Sequence, residues 1–283
     1  MNKLTTAARS GWARGLIEFR QLFTTPQDLV AFLLPNVIFM VAMAFLRAVP
    51  TGATGLSIGT LMVTSVLGSN VCFTGLLTMT QALSTEREDG TLLRAKAVPN
   101  GMLAYLIGKV VVITGATVVG LAITLTYALL AFDQVAVPGP AGWLKLVAVL
   151  VVGLFATMPV GAVLGSLFAN PRMIGFASMP IMALLGVSGI LYPITVLPVW
   201  VQWLAQAFPM YWLGLGMRSS LLPDSALAVE IGHSWRGWET FAVLGVWAVI
   251  GLALAPAVLR RMARRESGST VAARREKAMQ RIG

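Results

Sequence analysis

Few residues in this chain have side chains suited to chemistry. Its 283 residues include one cysteine, Cys72, and one histidine, His233, so the sequence offers no Cys and His cluster to hold a metal ion. Gly108-Lys109 is the nearest fragment to a nucleotide-binding phosphate loop, and Val110 stands where that motif needs serine or threonine. No nucleophile paired with a base is visible. We therefore expect a protein that is not an enzyme and binds no cofactor of its own.

The composition indicates which solvent surrounds the chain. Hydrophobic residues make up 57% of it and charged residues 11%, against roughly 25% charged residues in soluble domains. A single water-soluble core cannot bury so much apolar side chain, and a disordered chain would need low hydrophobicity. The Lys and Arg residues behind the net charge of +10 lie beside the apolar segments and in a tail, where membrane topology and anionic lipid account for them without nucleic acid. We expect an integral membrane protein.

Six segments are long and apolar enough to cross a membrane as helices, which takes about 20 residues. They are 29–46, 57–83, 105–132, 143–168, 174–192 and 239–259. Seventeen of the 21 Lys and Arg residues fall on one side of these spans, so the positive-inside rule places both termini in the cytoplasm. The expected fold is all-α: a single transmembrane domain, 1–283, with a cytoplasmic leader (1–28), six spans (29–259) and a basic tail (260–283). Short loops predict that the first and second spans, and the third and fourth, form antiparallel hairpins.

An amphipathic helix is predicted before the first span. Its apolar residues recur at helical spacing on one face: Trp12, Leu16, Phe19 and Phe23. Arg14 and Glu18 fall on the opposite face. Such a helix lies in the cytoplasmic interface of the membrane. Two roles stay open for it, a simple anchor and a lever against a cytoplasmic partner.

A short charged segment separates the second and third spans. It consists of Glu86, Arg87, Glu88, Asp89, Gly90, Thr91, Leu92, Leu93 and Arg94. Gly90 can end the long second helix in the left-handed conformation, and Thr91 can cap a helix of one to two turns. Pro99 then stops that helix. The segment is either a solvated turn or a short helix that docks on a partner.

A segment of 46 residues, 193–238, precedes the last span on the outer side. Its apolar part, 195–208, has 14 residues and is too short to cross the membrane. Proline and aromatic residues mark the segment: Pro193, Trp200, Trp203, Pro209 and Tyr211. Because tryptophan suits the boundary between membrane and water, we expect short re-entrant or interfacial helices here. They would either cap the bundle or gate its exit.

Polar residues inside the spans are few, and most such residues join helices by hydrogen bonds. The candidates for lining a translocation path are Thr64, Asn70, Phe73, Ser178 and Ser188. No Asp, Glu, Lys, Arg or His falls at the centre of a predicted span, where ion-coupled carriers normally place such residues. If the chain moves a cargo, another polypeptide has to supply the energy.

The layout and two sequence elements resemble the membrane subunits (permeases) of type 2 ABC exporters, in particular the daunorubicin-type drug-resistance permeases. One element is the acidic-Arg-x-x-Gly-Thr pattern at 86–91, followed by Pro99. The other is the sequence GILYP at 189–193, continued by Pro198, Trp200, Pro209, Tyr211 and Arg218. The similarity covers nearly the whole chain.

The resemblance implies partners and a mechanism. Two permease copies pair, most simply as a homodimer, and each docks on one of two cytoplasmic ATPase subunits that bind ATP and Mg²⁺. The helix after the second span, about 91–97, sits in a cleft of the ATPase with the N-terminal helix beside it. ATPase closure tilts the second and fifth spans, and the outer helices shape the exit. The implied location is the bacterial cell membrane, with multiple passes.

The expected cargo is lipophilic or amphipathic, a drug, an antibiotic or a lipid, because Leu, Val, Met and Phe with a few hydroxyls line the predicted path. One alternative is a polysaccharide or glycolipid exporter of the same family. The other is a membrane scaffold with no transport role. A secondary carrier would need an ion site that the sequence does not offer.

Overall fold

The computed structural model describes residues 3–52, 54–135, 138–167 and 171–265. Within these ranges, all the regular secondary structure is helical. In chain order the helices are α1 (Lys3–Thr24), α2 (Pro26–Phe45), α3 (Ile58–Phe73), α4 (Met79–Glu88), α5 (Thr91–Lys96), α6 (Gly101–Ala131), α7 (Pro140–Leu167), α8 (Pro171–Val187), α9 (Val199–Gln206), α10 (Pro209–Leu221) and α11 (Gly237–Arg265). Three short 3₁₀ turns follow α8 and α10: Ile194–Val196, Asp224–Val229 and Ile231–His233. Most of the predicted basic tail lies outside the described residues.

Five helices are long and apolar enough to cross a membrane: α2, the continuous rod Ile58–Glu88, α6, α7 and Gly237–Met262 of α11. They correspond to the first, second, third, fourth and sixth predicted spans, and each begins within four residues of its predicted start. The predicted fifth span, 174–192, corresponds to α8, which has 17 residues and ends at Val187. Gly189 turns the chain there with a φ of +69°. The sixth membrane crossing therefore stays a prediction.

The centre of the bundle is the rod Ile58–Glu88, which packs against α7 and α10. Among the candidate spans the rod is the most buried and α2 the least. α10 has 13 residues, too few to cross a membrane, yet nearly all of them are buried. The predicted outer segment therefore contributes one helix to the core, which the sequence analysis did not expect.

The rod is not a regular helix along its whole length. A π-helical turn, Thr74–Thr78, joins α3 to α4. α7 crosses the rod at this turn because Gly75 and Gly161 leave room: a Cβ built on Gly161 would lie 2.4 Å from the carbonyl oxygen of Gly75. Thr80 Oγ1 donates a hydrogen bond to the Gly161 carbonyl at 3.0 Å. π turns of this kind occur frequently at functional sites.

The helices pair differently from the prediction in one respect. α2 packs against α3, as the first predicted hairpin requires. α6 packs against α1 and α3, whereas α7 packs chiefly against α11 and the rod, so the predicted hairpin of the third and fourth spans is wrong. We call the end of the bundle that carries α5 the α5 end. At the opposite end, Arg47 Nη2 lies 3.5 Å from Asp133 Oδ2.

Candidate functional site

A sharp corner joins the rod to α5. Gly90 has a φ of +80°, so the predicted left-handed end of the second helix is confirmed. The predicted cap is wrong: Gly90 occupies the cap position, and Thr91 is the first residue of α5. Asp89 Oδ1 accepts a hydrogen bond from the Thr91 backbone N–H at 2.8 Å. A carboxylate, and not the threonine hydroxyl, therefore accepts from a free N–H at the start of α5.

The corner has a buried side and an exposed side. Arg87 is 9% exposed, and its Nη1 donates a hydrogen bond to the Ser166 carbonyl at 3.1 Å, which ties the rod to the end of α7. Leu92 is buried against the core. Asp89 and Arg94 are exposed. Four other residues of the corner are half-buried: Glu86, Glu88, Thr91 and Leu93. The corner therefore combines a fixed base with a surface that a partner can reach.

Beside the corner, three helices meet in a cluster of charged side chains that we call the four-charge cluster: Arg14, Glu18, Glu86 and Lys109. Lys109 Nζ donates to Glu18 Oε2 at 2.7 Å and also pairs with Glu86. Arg14 Nε donates to Glu18 Oε1 at 2.8 Å. The four charges sum to zero. The cluster joins α1, the rod and α6 immediately below α5.

The sequence pattern did not predict this cluster. It places Glu18 on the charged face of the leader and Lys109 among the cations that set the topology. The available signal was Lys109 itself, because a lysine within an apolar helix needs a carboxylate partner. Its partners are far away in the sequence, so spacing did not reveal them.

The environment of Glu18 shifts its pKa. Burial acts to raise the pKa, but the hydrogen bonds from Lys109 and Arg14 and their positive charges outweigh burial, so the pKa of Glu18 lies below the ordinary value. The carboxylate therefore stays ionised at neutral pH. The ion pairs that join α1 to α6 depend on that charge.

α1 lies along α6 through its small residues. A Cβ built on Gly11 would lie 2.5 Å from the Ala104 carbonyl oxygen, and one on Gly15 would lie 2.7 Å from the Gly108 carbonyl oxygen. Gly11 and Gly15 of α1 therefore leave no room for a larger residue where they meet Ala104 and Gly108 of α6.

The predicted apolar stripe of α1 lies on a different side. Trp12 is 56% exposed and Leu16 is 41% exposed. Phe19 and Phe23 are half-buried, and Phe23 reaches α2, where its ring centroid lies 5.6 Å from that of Phe32. The two halves of the stripe therefore differ: Trp12 and Leu16 are exposed, whereas Phe19 packs against Gly115 of α6 and Phe23 against α2, in addition to the glycine contacts and ion pairs.

A cavity of about 570 Å³, the asparagine cavity, lies between the end of α1, α2, the rod and α6. Asn36 and Asn70 line it together with Phe73 and apolar side chains. Asn36 Nδ2 donates to the Phe32 carbonyl at 2.9 Å, and Thr74 Oγ1 donates to the Asn70 carbonyl at 2.6 Å. Two of the five predicted path residues, Asn70 and Phe73, therefore line one cavity.

A second cavity of about 460 Å³, the arginine cavity, lies at the opposite end of the bundle from α5. Arg218 and Glu230 line it, and Arg218 Nε donates to Glu230 Oε1 at 2.5 Å. Both residues are at most 4% exposed. Arg218 Nη1 also donates to the Gly189 carbonyl at 3.1 Å, which ties α10 to the chain after α8. The sequence analysis missed this ion pair as well.

The comparison with known families assigns the chain. The family model described as ABC-2 family transporter protein matches residues 47–256, about three-quarters of the sequence. The chain belongs to the ABC-2 transporter family. No curated protein shows a significant match to it. Membership makes the chain a multi-pass membrane permease component of an ABC transporter, a component that is not itself the ATPase and generally works with one. The match begins after α2, so α1 and Glu18 lie outside it.

The remaining predicted path residues of this ABC-2 permease lie elsewhere. Thr64 is fully buried, and its hydroxyl donates to the Leu61 carbonyl. Ser188 is buried and donates to the Leu185 carbonyl. Ser178 donates to the Gly175 carbonyl within α8. None of these three residues lines the asparagine cavity, which Asn70 and Phe73 line.

The predicted outer residues of the permease divide between surface and core. Trp200 and Trp203 are 70% and 72% exposed on α9. Pro209 begins α10, and Tyr211 is fully buried. Burial, together with the charge of Glu230, raises the pKa of Tyr211 above its ordinary value. Pro193 lines the arginine cavity.

Proposed function

We propose that this ABC-2 permease is the membrane subunit of an ATP-driven exporter that moves a lipophilic or amphipathic cargo out of a bacterial cell. The observation that carries the proposal is the α4–α5 corner. Asp89 and Arg94 are exposed there, where a partner can reach them. The buried contacts of the corner and the four-charge cluster connect it to the neighbouring helices. A partner that moves α5 therefore moves the rod with it.

In this proposal the α5 end faces the cytoplasm and both termini lie there. The distribution of Lys and Arg supports that orientation. α8 and the chain up to residue 192 complete the sixth crossing. The exposed Trp200 and Trp203 on α9 and Trp12 on α1 support interfacial positions for these helices at opposite membrane surfaces.

Two permease copies would pair and each would dock on one ATPase subunit, giving two copies of each. α2 is the least buried candidate span, which leaves a face for lipid or for the second copy. ATP binding and hydrolysis in the ATPase would favour one of two packings of the permease over the other. The π-helical turn in the rod is the natural place for the two halves of that helix to change their angle.

The lining of the asparagine cavity supports the class of cargo. Apolar side chains, two amides and three hydroxyl residues (Ser69, Thr74 and Thr78) surround about 570 Å³, a volume in the range of small-molecule sites. The charged residue in the lining is Asp28, which lies exposed near the start of α2. Such a lining favours a largely apolar molecule with hydrogen-bonding groups over an ion.

The proposal is tested by cross-linking from the corner. Arg94 is replaced by a photoreactive amino acid in the full-length chain within its native membrane, and a matched variant carries the same group at Trp203 at the other end. We expect ATPase subunits with a phosphate loop to be captured from position 94 and not from position 203. Capture from both positions or from neither contradicts the docking assignment.

Transport is tested separately in proteoliposomes that contain the permease with the captured ATPase. ATP-dependent movement of a fluorescent amphipathic dye is expected, and the lone permease should leave the dye distribution unchanged. Movement of an oligosaccharide instead of the dye would favour the polysaccharide alternative. ATP-independent pumping by the lone chain, or no cargo movement with the ATPase present, would overturn the proposal, and the latter would favour a scaffold.

A further inference from the structure

Two side chains that line the arginine cavity each carry a buried polar atom without a hydrogen-bond partner among the residues that the structure describes. The two atoms are Arg218 Nη2 and Glu230 Oε2, one on each member of the ion pair. Buried polar atoms nearly always have a partner in folded proteins, so an orphan of this kind points to a bound water or ligand. Here one orphan is a donor and the other is an acceptor, and they belong to side chains that line the same cavity.

The charge of this cavity is balanced. Arg218 and Glu230 are the charged residues of its lining, and their charges cancel. The hydroxyl groups in the lining already have partners: Ser65 donates to the Leu191 carbonyl and Thr51 donates to the Leu56 carbonyl. A ligand with a full net charge would therefore bring an uncompensated charge into a buried site, which is costly.

The rest of the lining is mainly apolar, with Phe39, Ile58, Met62 and Leu191 among its residues. The cavity measures about 460 Å³. At roughly 30 Å³ for each water-sized group, it accommodates about 15 non-hydrogen atoms. That is enough for an alkyl chain or a small ring system in addition to a polar head.

We propose that the arginine cavity binds a lipophilic molecule whose single polar end is uncharged and both donates and accepts hydrogen bonds, as a hydroxyl or a primary amide does. The polar end would accept from Arg218 Nη2 and donate to Glu230 Oε2. Because both atoms are buried, the two side chains have to turn them toward the cavity when the molecule binds. The inference rests on the proposed function only where it takes this molecule as cargo.

Photolabelling of the purified full-length chain tests the inference. The probe is a straight-chain alcohol with a diazirine group and a length of about 14 carbons, matched to the cavity volume. Carboxylic acid and amine probes of the same length serve as comparisons. We expect the alcohol to label peptides from the cavity lining, such as the one that carries Leu191, in clear preference to the charged probes. Equal or stronger labelling by the acid or the amine overturns the proposal, and so does no selective labelling of the lining, which would leave bound water as the partner of the orphan atoms.

Two tryptophan variants separate binding from partition into lipid. Met62→Trp puts a larger side chain into the cavity and leaves both residues of the ion pair unchanged, and Val118→Trp introduces tryptophan at an exposed position on α6. We expect Met62→Trp to reduce labelling of the lining peptides by about tenfold, because the apolar body loses its space, while Val118→Trp leaves labelling unchanged. Equal labelling of both variants contradicts the proposal.

A third variant tests the charge argument. Glu230→Gln leaves the guanidinium of Arg218 without its balancing charge, so preference should move from the alcohol to the acid probe. An unchanged preference contradicts the role of charge balance; if this variant does not fold, the tryptophan pair still decides. Because labelling needs no ATPase, it can fail while ATP-driven transport succeeds, or the reverse, and the two proposals are therefore tested independently.

Discussion

At the scale of single residues, two groups of charged side chains inside the bundle are balanced in charge. The four-charge cluster at the α5 end and the Arg218–Glu230 pair at the opposite end each have no net charge. In surroundings of low polarity, removing one member of such a group leaves its partner with an uncompensated charge. Substitutions there should therefore have larger effects than substitutions of the neighbouring charged surface.

Glu86→Gln tests this expectation in the four-charge cluster. The variant removes one of the two carboxylates that hold Lys109, so we expect a loss of about 1–3 kcal/mol in stability, the range for hydrogen bonds to charged groups. Glu88→Gln, two residues later and without an ion pair to Lys109, should change stability by less than about 0.5 kcal/mol. Thermal unfolding of the detergent-purified chain measures both. Equal destabilisation of the two variants would mean that the cluster adds no stability.

At the scale of the elements, α1 is attached to the bundle by close backbone contact as well as by charge. Gly11 and Gly15 lie against Ala104 and Gly108 of α6, with no space for a side chain. Glu18 and Lys109 then join the same two helices one turn further along. α1 is thus aligned with α6 at two levels, while its Trp12 side remains open.

Gly15→Ala should loosen this attachment. The new Cβ would lie 2.7 Å from the Gly108 carbonyl oxygen, so α1 has to move away, at a cost of about 1–3 kcal/mol for overpacking. Gly245→Ala in α11 is the matched control because no atom lies within 4 Å of its added Cβ. Limited proteolysis of α1 and thermal unfolding report the difference. Faster cleavage in the control, or none in Gly15→Ala, would contradict the packing described here.

The limits of prediction are clearest at this scale. Helix positions were predictable because the sequence contains long apolar runs bounded by Gly and Pro. The corner at Gly90 was predictable because glycine readily adopts the left-handed conformation that ends a helix. The side of α1 that faces protein was not predictable, because lipid and protein offer equally apolar surroundings to Trp12 and Leu16. Residue spacing within one helix also could not reveal the partners of Lys109 and Arg218. Glu18 is 91 residues from Lys109, and a 3₁₀ turn separates Glu230 from Arg218.

α10 shows the same limit for a whole helix. Its length and its prolines suggested an interfacial helix, but the rod and α7 leave a space between them that α10 fills. Gly214 approaches Gly68 of the rod, where an added Cβ on Gly68 would lie 3.3 Å from the Gly214 Cα. Only the assembled bundle defines that space.

At the scale of the whole molecule, attachment of α1 should depend on pH. The pKa of Glu18 is lowered in the folded chain, so its contribution to stability is complete above the ordinary glutamate pKa of 4.5 and is lost as the pH falls through the lower folded value. We expect α1 to separate from α6 in that acidic range, as measured by the distance between spin labels on the two helices. Glu18→Gln should show no such acid step. An acid step that survives in Glu18→Gln would assign it to another group.

Export by the assembled transporter should depend on the exposed face of the corner. Arg94→Glu reverses the charge of an exposed residue of α5, so ATPase docking should weaken and ATP-dependent dye transport should fall by about tenfold, the equivalent of 1.4 kcal/mol. Arg20→Glu makes the same charge change on an exposed position of α1 and should transport normally. Both variants should unfold at the wild-type temperature. Normal transport by Arg94→Glu would place the docking surface elsewhere.

The position of Glu18 also has a consequence for the order of biosynthesis. The ribosome completes α1 long before Lys109, which follows Glu18 by 91 residues. During that interval Glu18 has Arg14, one helical turn away, as its salt-bridge partner. We therefore expect the nascent leader to form this intrahelical pair first and to take its final place only after α6 has been inserted.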